Sequence, residues 1–456
     1  MLKSPEDTIA AVSTPPGEGG IGIVRLSGPD AVAIAGRVFV STTGRDIAHE
    51  IRRVFHGHVV SARGGIVDEV LLHVMRAPHS YTREDVVEIN CHGGAGPVAA
   101  VLDETLRQGA RLAEPGEFTL RAFLNGRIDL VQAEAVVDHI RARTHAGLRA
   151  ASAAASGALS KQLHAMKDDL ADALARIEAS VDFPDDDLPD LLDEPLRIRL
   201  EKALERMRAL LSTAEAGRLY REGASIAIAG RPNVGKSSLF NALLRDARAI
   251  VSAQPGTTRD RIEETITLSG VPVRLVDTAG LRHAHDEVER IGVSVARDAM
   301  QSAEIVLLVL DASCPATEED AALAEELRAL ERPVWVAWNK IDLASESLPP
   351  AGFRGMTPIS ALTGEGLEAL EKDLAGLLLG GAPIAPDQGL ITRAHQRDSL
   401  RRAAEALERI LARFGESPEL LSIDLRDALN ALGEITGETT PEDLLDRIFA
   451  SFCIGK

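Results

Sequence analysis

The chain reads as multidomain: an α+β domain at the N-terminus, an all-α domain split in sequence, and an α/β domain inserted into the helical one. Three observations predict this. At 456 residues the chain is too long for one compact core, so two or three domains are expected. The hydrophobic pattern changes period along the chain, from short apolar runs between turns to helical spacing, then to alternating strands and helices, and back to helices. Finally, Gly230-Arg231-Pro232-Asn233-Val234-Gly235-Lys236-Ser237 lies between an apolar strand-like stretch, Ser225–Ala229, and a helical pattern, Ser238–Leu244.

Residues 1–120 alternate short apolar runs with turns. Gly19–Leu26 reads as a turn into a strand, Val70–Met75 and Val86–Asn90 as strands, and Val98–Gln108 as a helix, which together make a small mixed α/β domain. From about 121 to 220 the period is helical. Leu163, Met166, Leu170, Leu174, Ile177 and Val181 step by three and four, as do Leu196, Leu200, Leu204, Met207 and Leu211, with a break at Phe183–Asp187. Residues 221–380 alternate strands and helices, and Gly380–Pro386 is a linker. Helical spacing returns over 381–456, through Leu400, Leu407 and Ile410, then Leu421, Leu425 and Leu432, then Leu444, Leu445 and Ile448. Residues 121–220 and 381–456 would therefore form one discontinuous helical domain interrupted by 221–380.

Strand, glycine turn and helix N-terminus are the setting of a phosphate-binding loop. Gly230 and Gly235 let the backbone bend so that successive N–H groups face phosphate oxygens. Lys236 supplies a point charge to the outer phosphates, and the Ser237 hydroxyl can ligate Mg²⁺. Asn339-Lys340-Ile341-Asp342 follows a second strand pattern, Val334–Trp338. The Asp342 carboxylate can accept from a purine N1–H and a 2-amino group, both present on guanine and absent from adenine. Asn339 would brace the loop, the Lys340 stem would lie on the ring, and a backbone N–H of Ser360-Ala361-Leu362 would meet the guanine carbonyl. Val273–Asp277 is a strand ending in an acid that assists Mg²⁺; Gly280, after Thr278 and Ala279, can offer its N–H to the γ-phosphate, and Thr258 can complete the Mg²⁺ shell. The expected fold here is a Ras-like P-loop GTPase domain binding GTP with Mg²⁺.

Hydrolysis has a less usual basis. Leu281, after Gly280, cannot orient water as the glutamine of Ras-like proteins does. Asp286, Glu287 and Glu289 in the next segment are candidates. Asn233, with carbonyls of residues 252–257, could hold a monovalent cation where other GTPases use an arginine finger; equally, it could only pin the loop.

Hydrophobic content of 45% and a mean hydropathy of +0.00 describe a soluble globular protein. The longest apolar run, Ile305–Leu310, is strand-sized, so no membrane helix is expected. The N-terminal Met1–Asp7 has no signal-peptide design, which predicts a cytoplasmic protein. Cys91, Cys314 and Cys453 make neither a disulfide framework nor a metal spacing. A net charge of −19 argues against broad nucleic-acid binding. Arg141, Arg143 and Arg149 cluster on one helical segment, and Arg393, Arg397, Arg401 and Arg402 on another; interleaved Glu405 and Glu408 favour a solvated ion-pair face over an RNA-binding patch. Lysines number only eight, and Lys236, Lys340 and Lys456 all fall in distinctive motifs.

Outside the inserted domain, Arg25, Glu88 and Arg127 read by themselves as surface charges, and Cys453 in Phe452-Cys453-Ile454-Gly455-Lys456 as either a buried structural thiol or an exposed reactive one. Taken with Thr14-Pro15-Pro16-Gly17, Gly19-Gly20-Ile21-Gly22, Cys91-His92-Gly93-Gly94, Pro115-Gly116-Glu117-Phe118, Arg121–Asn125, Val181-Asp182-Phe183-Pro184 and Asp286–Gly292, these stretches resemble the bacterial MnmE (TrmE) family of tRNA-modification GTPases from near residue 7 to residue 456.

The resemblance implies more than spacing does. Members have a tetrahydrofolate-binding N-terminal domain through which they form a homodimer, a helical domain and an inserted G domain. With a flavin-dependent subunit, MnmG (GidA), in a heterotetramer or larger complex, they add an aminomethyl or carboxymethylaminomethyl group at C5 of the wobble uridine of certain tRNAs. The one-carbon unit comes from 5,10-methylene- or 5-formyl-tetrahydrofolate, and K⁺ stimulates GTP hydrolysis as G domains pair. By position, Arg25, Glu88 and Arg127 would contact folate; Asn233, Ser252, Gln254 and Thr257 would surround K⁺; Ser237 and Thr258 would hold Mg²⁺; Glu289 would position the attacking water; and Cys453 would take part in modification. GTP contacts would then comprise Asn233, Val234, Gly235, Lys236, Ser237 and Ser238; Ser252, Ala253, Gln254, Pro255, Gly256, Thr257 and Thr258; Asp277, Thr278, Ala279 and Gly280; and Asn339, Lys340, Asp342, Ser360, Ala361 and Leu362. Arg127 stands where a lysine often occurs, and Leu362 where many GTPases have lysine, so the guanine loop would hold nucleotide weakly. A GTPase timing ribosome or RNA assembly is the alternative reading; it lacks the folate-type domain and usually carries a basic appendage. A stand-alone folate-dependent aminomethyltransferase leaves the inserted domain unexplained.

Overall fold

The computed structural model describes residues 6–48, 53–182, 193–246, 263–277, 297–330, 332–343, 355–381, 384–415 and 418–456. It divides into two compact units: residues up to Val137 with Asn430–Lys456, and Asp138–Leu429.

The first unit is built on a sheet of β1 (Ile9–Val12), β2 (Gly19–Ser27), β3 (Phe39–Ser41), β4 (Val54–Val60), β5 (Ile66–Met75), β6 (Val86–Gly93) and β7 (Arg111–Leu112). Their order is β3-β4-β5-β6-β2-β1-β7, antiparallel except for β7 on β1. Alternation decides which face is buried. On β5, Val70, Leu72 and Val74 point into the core with Val24, Leu26 and Ile89, under α1 (Ala31–Val38) and α2 (Ala95–Arg107). The opposite face therefore carries Arg25 on β2, directly across from Glu88 on β6, which in turn faces His73 on β5. The sequence pattern anticipates β5, β6 and α2 within a few residues. The strand β2 begins at Gly19 itself, with a register shift between Gly19 and Gly22 where a turn is expected.

Helix α3 (Glu117–Leu124) closes one side of this unit through a buried ion network. Arg121, 4% exposed, donates to the Asp7 carbonyl (2.7 Å), to Asp7 Oδ1 (2.5 Å) and to Glu84 Oε2 (3.2 Å). Arg111 bridges Asp7 and Glu117. Burial pushes the carboxyls of Asp7 and Glu117 upward, but the Arg111 hydrogen bonds and the Arg121 charge outweigh it and hold both below their ordinary values.

Helix α4 (Leu130–Arg141) runs across the boundary between the units, and the second continues with α5 (His145–Ala155), α6 (Ala158–Asp182), α7 (Glu194–Ser212) and α8 (Ala214–Glu222). The stripe Leu163, Met166, Leu170 and Ile177 on α6 is fully buried, as are Leu196, Leu200 and Met207 on α7. Asp193 caps α7, accepting from Leu196 N at 2.9 Å. Because Thr144 caps α5 and separates it from α4, Arg141, Arg143 and Arg149 do not share one helical segment. The other arginine group forms ion pairs: Arg393–Asp138, Arg397–Asp398 and Arg401–Glu405.

The second sheet, β13-β12-β11-β8-β10-β9, is parallel except at β9. Its strands are β8 (Ala224–Ala229), β9 (Glu263–Leu268), β10 (Val271–Asp277), β11 (Ile305–Asp311), β12 (Val334–Asn339) and β13 (Met356–Ile359). Central β8 and β11 are almost wholly apolar, Ser225 and the terminal Asp311 apart, because both faces are covered: Ile226, Ile228 and Leu307 pack in one layer, Ala227, Val306 and Leu308 in the other. Helices α9 (Lys236–Asp246), α10 (Glu318–Arg328) and α11 (Leu367–Leu379) accompany them. Thr144 Oγ1 donates to the Gly270 carbonyl at 2.7 Å, tying the start of α5 to the β9–β10 turn. Among the described residues no helix is long and apolar enough to cross a membrane.

Arg121→Ala, which strips Asp7 and Glu84 of a buried partner, is expected to cost about 3 kcal/mol at neutral pH in urea unfolding. For Asp7 and Glu117 the lowered folded values mean stability is fully present above the unfolded values of 3.8 and 4.5 and is lost as pH falls through the folded ones. The gap between parent and variant should therefore shrink below about pH 4; a gap independent of pH would refute the network's role.

Candidate functional site

The phosphate loop leaves β8 at Ala229 and enters α9 at Lys236. Asn233 has φ +64° and Gly235 +100°, both left-handed, and a Cβ at Gly235 would strike the Asn339 side-chain nitrogen. Lys236, 6% exposed, donates from Nζ to the carbonyls of Gly230 (2.8 Å) and Arg231 (2.7 Å), which holds the cation inside the loop. Ser237 lies exposed in the first turn of α9. Asp277, 6% exposed, ends β10 opposite Ile228, at the same edge of the sheet as the loop. A hydroxyl and a carboxylate at this edge are hard oxygen donors of the kind Mg²⁺ takes.

The base-reading segments converge on the same edge. Asn339, 2% exposed, donates from Nδ2 to the Val234 carbonyl (2.8 Å) and accepts at Oδ1 from Ala361 N (2.9 Å). Lys340, at φ +69°, donates from Nζ to the Asn233 carbonyl (2.8 Å) and to Asp311 Oδ2 (2.6 Å). Burial pushes the Asp311 carboxyl upward, but the Lys340 ammonium and the Ser313 hydroxyl hold it below the usual range. Asp342 is exposed, Ser360 is buried, and Leu362 is 84% exposed. The Asn233 carbonyl is thus committed to Lys340, while its exposed side chain makes no hydrogen bond to another described residue.

Some contacts escape sequence reasoning. Arg231 donates to Cys314 Sγ at 3.1 Å and lies 3.1 Å from Asp320 Oδ2, which fastens the loop to α10. Ser252, Ala253, Gln254, Pro255, Gly256, Thr257, Thr258, Thr278, Ala279, Gly280, Leu281, Asp286, Glu287 and Glu289 lie outside the described residues.

In the first unit, Arg25 pairs with Glu88, and Arg25 and Arg127 both lie against the Tyr81 ring. Arg25 pairs with Glu88 Oε1 at 2.8 Å and donates to the Gly455 carbonyl at 3.3 Å, which also accepts from Ser13 Oγ at 3.1 Å. Gly455 has φ +88°, and a Cβ there would collide with the Val12 carbonyl. The guanidinium of Arg25 lies 5.8 Å from the Tyr81 ring centre and 5.7 Å from that of Phe118; that of Arg127 lies 4.4 Å from Tyr81. Tyr81, Phe118 and Gly455 are absent from the sequence-based set. Cys453 is exposed and free, whereas Cys91 is buried, its thiol pushed up to about 11 by burial and the Asp68 charge.

The phosphate loop, the acid ending β10 and the Asn339 loop, all at one edge of a doubly wound sheet, define a P-loop GTPase domain. Residues 8–127 match the family model described as GTP-binding protein TrmE N-terminus, and residues 130–453 that of the MnmE helical domain. The tRNA modification GTPase MnmE of Chloroflexus aurantiacus is 51% identical over 99% of this chain and 100% of its own length; that of Roseiflexus sp. is 50% identical over 99% of each. Among solved structures, the G domain of the T. maritima FeoB iron transporter aligns with 34% of this chain and 98% of its own, at 30% identity and a TM-score of 0.26. The chain belongs to the MnmE family of tRNA modification GTPases.

Asn339→Ala removes both the clamp on Val234 and the acceptor for Ala361 N. Guanine-nucleotide affinity in isothermal titration should drop about tenfold or more, the cost of orphaning buried polar groups. An unchanged dissociation constant would remove Asn339 from the site.

Proposed function

We propose that this chain binds GTP with Mg²⁺ and K⁺ and hydrolyses it to drive tRNA modification. With a flavin-dependent MnmG-type subunit it would add an aminomethyl or carboxymethylaminomethyl group at C5 of the wobble uridine, using 5,10-methylene- or 5-formyl-tetrahydrofolate. The observation that carries this reading is the Asn339 bridge between phosphate loop and base loop, in a chain that matches tRNA modification GTPases over 99% of its length. From the family resemblance, the reading also includes homodimerisation through residues 1–120, a discontinuous helical domain at 121–220 and 381–456, a G domain at 221–380, and a cytoplasmic location.

Each residue has a chemical part. Lys236 sets a fixed positive charge against the outer phosphates, and Asp342 reads the guanine edge through its two acceptors. Ser237 and Thr258 would hold Mg²⁺, with Asp277 behind them; Asn233, Ser252, Gln254 and Thr257 would hold K⁺. When bound, the two cations offset negative charge developing on the phosphoryl oxygens. Leu281 cannot orient water, so Glu289 would do so from its carboxylate. Arg25, Glu88 and Arg127 form a cradle of charge-assisted donors and acceptors that fits the polar edges of a reduced folate. Exposure of Cys453 suits a thiol acting in modification.

Wobble-uridine modification should disappear from tRNA of cells lacking this gene; unaltered tRNA would refute the proposal. Exchanging K⁺ for Na⁺ is expected to cut GTP turnover at least tenfold, an arginine-finger-sized role exceeding that, and equal rates would discard the cation. Glu289→Ala should keep GTP binding while losing most hydrolysis; unchanged turnover would move water positioning to Glu287 or Asp286.

A further inference from the structure

Tyr81 belongs to no motif, yet both arginines of the N-terminal cluster lie against its ring. Two guanidinium groups sharing one ring repel each other, and among the described residues the ion-pair partner they have is Glu88, which serves Arg25. The Arg127 guanidinium is exposed and has no hydrogen bond or ion pair among the described residues; the Tyr81 ring is its contact. An electron-rich ring face offsets part of that repulsion without consuming a hydrogen-bond donor of either arginine.

The ring is held in place from several directions. Its hydroxyl lies 2.9 Å from Thr119 Oγ1 on α3. Arg83, at a left-handed φ of +60°, donates to the Asn125 carbonyl at 2.9 Å, and Asn125 Nδ2 donates to the Thr82 carbonyl at 2.7 Å. These two bonds lace the segment carrying Tyr81 to the segment carrying Arg127. At the base of the former, Arg76 and Ala77 N both bond the Asp85 carboxylate.

We infer that Tyr81 is a positioning residue of this site: its ring, rather than its hydroxyl, holds Arg127 at a fixed spacing from the Glu88-paired Arg25, with the uncommitted donors of Arg127 left for a carboxylate-bearing ligand. The inference rests on the folate reading of the cluster and adds to it a determinant of ligand affinity. A guanidinium with uncommitted donors is matched to the planar carboxylates of a glutamyl tail.

Binding of 5-formyl-tetrahydrofolate to the full chain, measured by isothermal titration, tests this. Tyr81→Phe keeps the ring and should stay within about threefold of the parent, while Tyr81→Leu should weaken binding about tenfold. Phenylalanines carrying one, two and three ring fluorines, incorporated at position 81, keep the shape and drain the ring face. Affinity should fall stepwise along that series, a response that a merely space-filling ring would not give. Introduced into Arg127→Ala, the Tyr81→Leu change should cost less than about threefold further, since the nearer of its two cation partners is already gone. A flat fluorinated series, or losses from Tyr81→Leu and Arg127→Ala that multiply in full, would overturn the role of Tyr81 alone. No uptake by the parent chain would overturn the folate reading together with it.

Discussion

One carboxamide joins the two halves of the nucleotide site. Asn339 reaches from the end of β12 to Val234 in the phosphate loop and receives Ala361 N from the segment after β13. The bond to Val234 is buried, so its partners cannot turn to water if either moves, and the bond from Ala361 N is partly buried. Gly235 is obliged to be glycine by the same approach, because a methyl group there would occupy the amide's place. Lys340 adds a second tie through the Asn233 carbonyl and Asp311. Base recognition and phosphate recognition are thereby set by one rigid junction, which is what a site selecting guanine by unpaired-group penalties requires.

How much of this was legible in sequence follows from where the constraint acts. Phosphate loop and Asn339-Lys340-Ile341-Asp342 are readable because their geometry is local: glycines at fixed offsets, a lysine one residue into a helix, an acid at the end of a strand. The long helices α6 and α7 are readable for the same reason, since their apolar stripes repeat within one element. The N-terminal cluster is different. Arg25 and Glu88 are set opposite each other by register across β2 and β6, sixty-three positions apart, and nothing in either neighbourhood announces it. Tyr81 meets Arg127 through two loops laced by Asn125, and Gly455 arrives from the far end of the chain. Family resemblance pointed to the arginines and the glutamate; only the structure adds the ring and the carbonyl. Short β3 and β7 carry too few residues to display a period.

The two units treat charge differently. In the first, Arg111, Arg121, Asp7, Glu84 and Glu117 neutralise one another in the interior, leaving Arg127 as an exposed cation on an aromatic face. In the second, Arg397 and Arg401 pair at the surface with Asp398 and Glu405, in keeping with a chain of net charge −19. Cysteine follows the same division by environment: Cys91 is sealed as an inert thiol while Cys453 stands in solvent beside the residues that close on Arg25.

That closure has a bearing on biosynthesis. The acceptor that completes the surroundings of Arg25 lies 430 positions later in the chain. During translation the strands bearing Arg25 and Glu88 can pair early, while Arg25 lacks this acceptor until the ribosome has delivered Gly455. The β2–β6 pairing that sets Arg25 beside Glu88 is thereby complete in the nascent chain long before Arg25 gains its last acceptor.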